Sequence, residues 1–267
     1  MTDEKTRLKM INKKYVVMLG AFFACASFSP VMLAAPDEIQ VYTEDMNDPG
    51  EFGLELHLNY VIEGAKTPGY EGESPSHHML QTTPEFSYGI SKNWEAGMYV
   101  PVAYEENGNL YGNGLRLRMK YMVTPAPGSA LFMGFNTEIG YSNKRVSESE
   151  WGVELRPIIG VRTEKWLLSF NPILNMDLSP DFSHRAQFEP ALKVSRILME
   201  GLHAGLEYYG EYGYTNDILP ASQRVNYLYA AVDIEKRDFD INFGIGWGDS
   251  NAPDSLIVKA IIAYPFK

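Results

Sequence analysis

The sequence predicts an all-β fold, namely a transmembrane, antiparallel, up-and-down β-barrel of about twelve strands, preceded by an N-terminal signal helix. Three observations predict this fold. Apolar and polar residues alternate along many long segments, long and short connections alternate between those segments, and all four tryptophans fall on the apolar side of the alternation. Because successive side chains of a strand point to opposite faces, each segment has one apolar and one polar face.

The first segment, Phe52–Glu63, shows the pattern most clearly. Its even-numbered residues are all apolar, while the odd-numbered ones include Glu55, His57 and Glu63. A tilted strand needs about 9–11 residues to cross a bilayer, whereas strands of soluble proteins average about five or six. Length and alternation together therefore favour a membrane-spanning strand.

Eleven further segments repeat this pattern. They cover residues 80–90, 94–104, 115–123, 131–141, 151–162, 166–177, 185–194, 202–212, 227–234, 239–247 and 256–266. Pro84, Pro101, Pro157, Pro172 and Pro190 lie inside five of these segments. Each proline removes a hydrogen-bond donor from the sheet, so we expect bulges or bends near one rim of the barrel.

The connections alternate in length. Those after the first, third, fifth, ninth and eleventh segments are long and acidic, whereas those after the even-numbered segments are short, as at 91–93 and 163–165. Outer-membrane barrels have short periplasmic turns and longer external loops. The sequence therefore predicts an outer-membrane barrel, residues 49–267, with both termini in the periplasm.

Residues 1–35 are predicted to be a secretory signal peptide. Lys13 and Lys14 precede an uncharged run that ends in two alanines, and Met10 begins a more conventional basic region than the first methionine does. The alternative is a retained signal anchor. The only cysteine, Cys25, lies in this segment, so a mature chain holds no disulfide.

Residues 36–48 are predicted to be a periplasmic lead-in to the barrel, and the sequence leaves open whether they plug it. The whole chain carries a net charge of −11. Removal of residues 1–35, which are richer in basic than in acidic residues, makes the remainder more acidic. This charge argues against nucleic acid and anionic membrane surfaces as partners.

Several short motifs resemble those of a known family. Residues 40–60, with Pro-Gly-Glu-Phe-Gly at 49–53, residues 83–86 and the prolines within strands resemble the Gram-negative outer-membrane proteins grouped as transporters or MetA-pathway phenol-degradation proteins. The resemblance implies a location in the outer membrane and passage of a substrate. Barrels of this class usually end in phenylalanine, which the barrel-assembly machinery recognises, whereas here Phe266 is penultimate.

The four tryptophans predict two membrane girdles. Trp94 and Trp166 follow short turns, while Trp151 and Trp247 adjoin longer loops, and all share the parity of the apolar faces. Aromatic side chains are enriched at both membrane interfaces, where lipid and lipopolysaccharide are the expected partners. The alternative is a soluble sandwich with four core tryptophans.

The polar faces predict the lining of the barrel interior. The predicted lumen residues are Glu55, His57, Glu85, Glu95, Arg116, Arg118, Lys120, Glu138, Glu154, Arg156, Arg162, Glu207 and Glu211. Basic residues on one wall and acidic residues on the others would create a transverse field across a water-filled lumen. Alternatively the charges pair and fill a narrow barrel, for instance with Glu138 between Arg118 and Arg156.

The chain is predicted not to be an enzyme. The histidines lack a serine at the spacing that barrel hydrolases use, and no phosphate-binding loop is present. His77 and His78 are interpreted as a polar loop tip because no cysteine or carboxylate at ligand spacing accompanies them, so neither a metal nor another cofactor is predicted. The favoured function is a passive or gated channel for a small, unidentified solute; the alternatives are a plugged structural barrel and, less favoured, a hydrolase.

Overall fold

The computed structural model describes residues 37–236 and 238–266. The predicted signal peptide, residues 1–35, lies outside them and stays a prediction. The described chain is almost entirely extended, with one short 3-10 turn at Ala221–Gln223. No described helix has the length and apolar character needed to cross a membrane.

Sixteen strand segments are present in the described part of the chain. They are β1 (Phe52–Glu63), β2 (Leu80–Gly89), β3 (Trp94–Tyr99), β4 (Val102–Tyr104), β5 (Leu110–Gly112), β6 (Gly114–Met122), β7 (Leu131–Ser142), β8 (Trp151–Arg162), β9 (Trp166–Asp177), β10 (Gln187–Met199), β11 (Leu202–Glu211), β12 (Gly213–Tyr214), β13 (Asp217–Ile218), β14 (Val225–Glu235), β15 (Asp240–Gly248) and β16 (Leu256–Phe266).

These segments build one closed antiparallel barrel. β1 pairs with β2 on one side and with β16 on the other, so the sheet has no free edge between its first and last strands. β3 with β4, β5 with β6 and β11 with β12 each form one barrel strand, and β13 only extends a loop hairpin. Within the described residues the barrel therefore has twelve strands, which confirms the predicted fold class.

The surface of the barrel is inverted relative to that of a soluble protein. Large apolar side chains are exposed on the outer face of almost every strand; Leu117 is 53% exposed and Leu206 is 51% exposed. Charged side chains are buried inside, including Glu85, Lys259 and Glu207, each at most 1% exposed. Soluble proteins almost never bury charges while exposing their apolar faces, so this surface is suited to lipid.

The tryptophans lie where the alternation predicted. Trp94, Trp151, Trp166 and Trp247 are 39%, 50%, 40% and 51% exposed on the outer face. They do not form one central cluster, which argues against the soluble sandwich. Their placement at membrane interfaces remains a prediction.

Long and short connections segregate to opposite ends, as expected for an up-and-down barrel. The end with the long connections, here the loop end, holds residues 64–79, 105–109, 143–150, 178–186, 215–224 and 249–255. The opposite turn end holds short turns such as 90–93, 163–165 and 200–201. The connection at 178–186, after the seventh barrel strand, is longer than the sequence indicated.

Two local expectations were wrong. Residues 110–112, which lie in the predicted connection between the segments 94–104 and 115–123, form β5 because they pair with β4. The prolines lie within the strands rather than near one rim. Pairing between neighbouring strands is interrupted beside Pro84 and Pro101, and again beside Pro157 and Pro172, so a missing donor falls where the ladder is already open.

Candidate functional site

The barrel interior is occupied by the chain's own N-terminal residues. Residues 37–48, here called the interior segment, run through the lumen before β1 begins at the turn end. The segment forms no strand pairing with the barrel. The sequence left open whether residues 36–48 plug the barrel. The described residues, 37–48, lie inside it.

Tyr42 is the central anchor of the interior segment. Its backbone N–H donates to Oδ1 of Asn171 at 2.7 Å, and its carbonyl accepts from Oγ of Ser169 at 2.5 Å and from Nδ2 of Asn171 at 3.1 Å. Its hydroxyl bonds to the hydroxyl of Tyr99. Side chains of β9 thus satisfy backbone groups that would otherwise be buried without partners.

Apolar contacts hold the same segment against three parts of the wall. Ile39 lies in a cluster with Val61 and Ile257, Val41 in one with Ile173, and Tyr42 in a separate cluster on β6, β7, β8 and β9. All three segment side chains are buried. Burial of each such side chain contributes about 1.5–3 kcal/mol, so the segment is bound to the lumen wall.

Basic side chains of the wall bind the acidic start of the segment. Arg116 pairs with Asp37. Arg156 lies 3.3 Å from Glu38 and donates to the carbonyl of Gln40 at 3.2 Å. These contacts explain why an acidic, mixed sequence with no periodicity has a fixed place in the barrel.

Two charge clusters fill the wall beside the segment. Arg118 of β6 pairs with Glu85 and lies 2.8 Å from Glu95, and Glu95 also accepts from the backbone N–H of Asn47 at 2.6 Å. Glu207 of β11 is the centre of the second cluster: it pairs with Lys259 and lies 3.2 Å from Lys193. Each cluster also contacts the segment, the first through Asn47 and the second through the bond from Lys259 to the carbonyl of Ile39 at 2.8 Å.

The thirteen predicted lumen residues are all buried or half-buried. The structure brings most of them into local ion pairs rather than onto opposed walls, which disagrees with the predicted transverse field. Glu138 does not bridge Arg118 and Arg156. It accepts from Asn136 at 2.8 Å and from the hydroxyl of Tyr42 at 3.4 Å.

Sequence reasoning missed Lys259, Asn171 and the interior segment itself. Lys259 is a single basic residue among the apolar residues of β16 and is fully buried. The alternation along β16 already indicates that the Lys259 side chain points into the barrel. Its partner Glu207 lies on β11, however, and strand order in the barrel is needed to see that the two meet.

A cavity of about 530 Å³ remains at the turn end of the lumen. Its lining combines residues 40–48 of the segment with carboxylates and basic side chains of the wall, among them Glu55, Glu95, Lys120 and Arg162. Such a lining of mixed charge suits a small polar solute or hydrated ions.

At the loop end, a buried contact ties two loops together. Oγ of Ser76 donates to Oδ1 of Asp254, and the backbone N–H of Ala65 donates to Oγ of Ser76 at 3.0 Å. Asp254 is fully buried, and burial raises its pKa to about 6. The folded protein therefore favours the neutral acid.

This contact predicts a pH dependence. Because the folded-state pKa of Asp254 lies above that of an unfolded aspartate, its contribution to stability is complete at low pH and is lost as the pH rises through about 6. The loss is on the order of 1 kcal/mol per pKa unit. Asp254→Asn is expected to flatten the dependence of the unfolding temperature on pH between about 4 and 7, while Asp181→Asn, an exposed change in another loop, leaves it as in the wild type. Equal slopes for Asp254→Asn and the wild type would refute this assignment.

The fold is shared with outer-membrane channels of known structure. An outer-membrane channel from Pseudomonas putida F1 superposes with a TM-score of 0.58 at 12% identity, covering 86% of this chain and all of its own. The porin NanC gives a TM-score of 0.54 at 12% identity, and the porin KdgM gives 0.52 at 7% identity; each match covers 80% of this chain and 99% of the porin. No protein-family model matches the chain, and no curated protein does. At these identities the likeness shows the fold, and the MetA-pathway resemblance is not confirmed.

Proposed function

We propose that this protein is an outer-membrane channel for a small polar solute, and that its interior segment closes the channel at rest. The observation that carries the proposal is the inverted barrel, apolar outside and charged inside, whose lumen is occupied by residues that belong to no strand. The hydrogen bonds described between the segment and the wall each involve a side chain, and the segment pairs with no strand, so it can leave without breaking the barrel ladder. A closed ladder keeps every strand paired in lipid, whatever the segment does.

The difference between the two ends of the barrel supports a proposed orientation in the outer membrane. The loop end faces the cell exterior, where lipopolysaccharide forms the outer leaflet, and the turn end faces the periplasm, from which barrel-assembly machinery inserts the chain. The cavity at the turn end is then a periplasmic vestibule. The three neighbours described above, a channel and two porins, support this assignment at the level of the fold.

The solute class follows from the lining of the vestibule. Carboxylates, guanidinium groups and amines all line it, and many already pair with one another. A large apolar molecule would leave these groups without water or partners. The pathway is therefore suited to hydrated ions and small polar molecules.

Arg116 provides a test of this pathway. It pairs with Asp37, and the side chains of both residues are 22–23% exposed. Arg116→Ser removes a positive charge from the lumen wall, so the open channel is expected to favour cations severalfold more than the wild type does. The reversal potential in a salt gradient across a planar bilayer measures this preference.

The matched control is Arg196→Ser. Arg196 lies on the outer face, with its guanidinium 5.4 Å from the ring of Trp166. This variant is expected to keep the wild-type reversal potential. If Arg116→Ser and Arg196→Ser conduct with the same ion preference, Arg116 does not line the conducting path.

A plugged structural barrel is the second candidate, and the dense ion pairing of the interior favours it. The two functions differ in one measurement. Proteoliposomes that contain the folded chain without residues 37–47, verified by heat-modifiable gel mobility, should admit small polar solutes if the chain is a channel. If the folded chain never conducts, even without its interior segment, the structural role is correct.

A further inference from the structure

Two loops at the loop end bring three metal-binding side chains together. His77 and His78 lie at the end of the loop 64–79, and Glu106 lies in the loop 105–109. Two imidazole nitrogens and a carboxylate oxygen of these residues all lie within 4.8 Å of one another. Sequence alone does not bring these residues together, because Glu106 is supplied by a different loop.

The backbone at His78 places both imidazoles on one side of the chain. In an extended chain, neighbouring side chains point in opposite directions. His78 instead has φ of 57°, in the left-handed region, and the two rings stack with centroids 3.9 Å apart. This conformation costs free energy in a residue other than glycine. Tyr60 packs on the other side of His78, with its ring nearly parallel at 6.3 Å, and limits how far the ring can turn.

We propose that His77, His78 and Glu106 form a binding site for a divalent transition-metal ion such as Zn²⁺. Imidazole and carboxylate are ligands that zinc, copper and nickel accept, and three protein ligands leave one position for water. Nδ1 of His78 lies 2.9 Å from Oε1 of Glu106. A metal ion bound between these atoms takes the place of their hydrogen bond, and the ring proton of His78 is then carried on Nε2.

In the proposed site, His77 supplies the third ligand atom, its Nε2. Its Nδ1 accepts a long hydrogen bond of 3.4 Å from the backbone N–H of Gly64. Coordination through Nε2 moves the ring proton to Nδ1 and gives up this weak contact. Ligands around a tetrahedral zinc ion at about 2.0–2.1 Å lie about 3.3–3.4 Å apart. The ligand atoms of His78 and Glu106, 2.9 Å apart, must therefore separate slightly to admit the ion.

The surroundings leave the site open and hold its acidic loop in place. A cavity of about 380 Å³ lies beside His77 and Glu106 and gives access to water. The adjacent Glu105 is already engaged, because Asn107 and Asn109 donate to it at 3.0 and 2.9 Å. Glu105 therefore orders the loop, while Glu106 faces the two histidines. A bound ion would join the loops 64–79 and 105–109.

The test uses the full mature chain folded in detergent and freed of metal. Isothermal titration with Zn²⁺ is expected to show one ion per barrel. The double variant His77→Asn/His78→Asn is expected to lose this binding, and Glu106→Gln is expected to weaken it at least about tenfold. The matched control is His184→Asn, because His184 is an exposed histidine of the loop 178–186 and bonds only to the carbonyl of Asp177 among the contacts described. This control should bind as the wild type does.

Copper provides a second, spectroscopic readout. Cu²⁺ bound by the wild type should show nitrogen couplings from two imidazoles in its electron paramagnetic resonance spectrum, and His77→Asn should show one. Absence of stoichiometric binding, or binding that survives in the double variant, would overturn the proposal. Heat-modifiable mobility of each variant verifies that a loss of binding is not a loss of folding.

Discussion

A chain that lacks residues 37–47 is expected to conduct about an order of magnitude more current in planar bilayers than the mature chain that retains them. The expected gain follows from the position of the interior segment, whose residues Ile39, Val41 and Tyr42 are buried against separate parts of the wall. A twelve-stranded barrel lies between the small barrels that side chains fill and the wide porins that leave an aqueous channel. Removal of the segment therefore empties a lumen large enough for water.

The shortened chain loses contacts with its own wall, so a second variant keeps the test sound. Tyr42→Ala retains the whole chain but removes the ring and hydroxyl that bind Tyr99 and pack beside Phe132. This variant is expected to open more often than the wild type, and its conductance when fully open should equal that of the shortened chain. Tyr88→Ala, which changes a tyrosine that is 38% exposed on the outer face, serves as the control and should gate normally. Equal, low conductance of the folded shortened chain and the wild type would contradict closure by the segment.

The largest loss of stability is expected for Arg118→Met. The Arg118 guanidinium pairs with both Glu85 and Glu95, and the side chains of all three residues are at most 5% exposed. Removal of one partner from a buried ion pair costs about 3–5 kcal/mol because the remaining charges stay buried without compensation. Denaturant titration of the folded protein in lipid or detergent, followed by heat-modifiable mobility, measures the free energy of unfolding.

A triple variant separates charge from packing. Arg118→Met combined with Glu85→Gln and Glu95→Gln removes the unpaired carboxylates and is expected to recover most of the lost free energy. Arg145→Ala is the matched control, because the Arg145 side chain is 47% exposed and Glu105 keeps its hydrogen bonds from Ser74, Asn107 and Asn109. Loss of this pair is expected to cost about 0–1 kcal/mol. A loss for Arg118→Met no larger than that for Arg145→Ala would show that the buried cluster does not stabilise the barrel.

The strands were predictable because their signal is local. Each strand carries its own alternation, so the inward direction of Glu85, Arg118 and Glu207 followed from parity alone. The same parity placed the four tryptophans on the outside. Closure into a barrel followed from the even number of strands and from the polar faces, which need an enclosed interior.

The partners of the interior charges were not predictable from the same signal. Glu207 meets Lys259 only because β11, β14, β15 and β16 lie in that order around the barrel. Glu138, expected between two arginines, instead meets Asn136 of its own strand and Tyr42 of the interior segment. Parity gives the face of a residue but not its neighbour across the lumen.

The interior segment and β5 were missed for a related reason. Residues 37–48 have no alternation, and their place is set by long-range contacts such as that between Tyr42 and Asn171. Residues 110–112 lie among asparagine and glycine, which favour turns, and only their pairing with β4 makes them a strand. Tertiary contacts override local preference in both places.

Tryptophan fluorescence in bilayers with brominated acyl chains tests most directly whether the apolar outer face of this barrel meets lipid. Bromine quenches only the indoles that touch it, and all four tryptophans are 39–51% exposed on the outer face. The fluorescence should fall strongly, and more with bromine near the headgroups than with bromine at the bilayer centre, since the tryptophans begin or end strands. Unchanged fluorescence of the folded protein, or a folded chain that stays in water without detergent, would contradict the membrane barrel and the channel together.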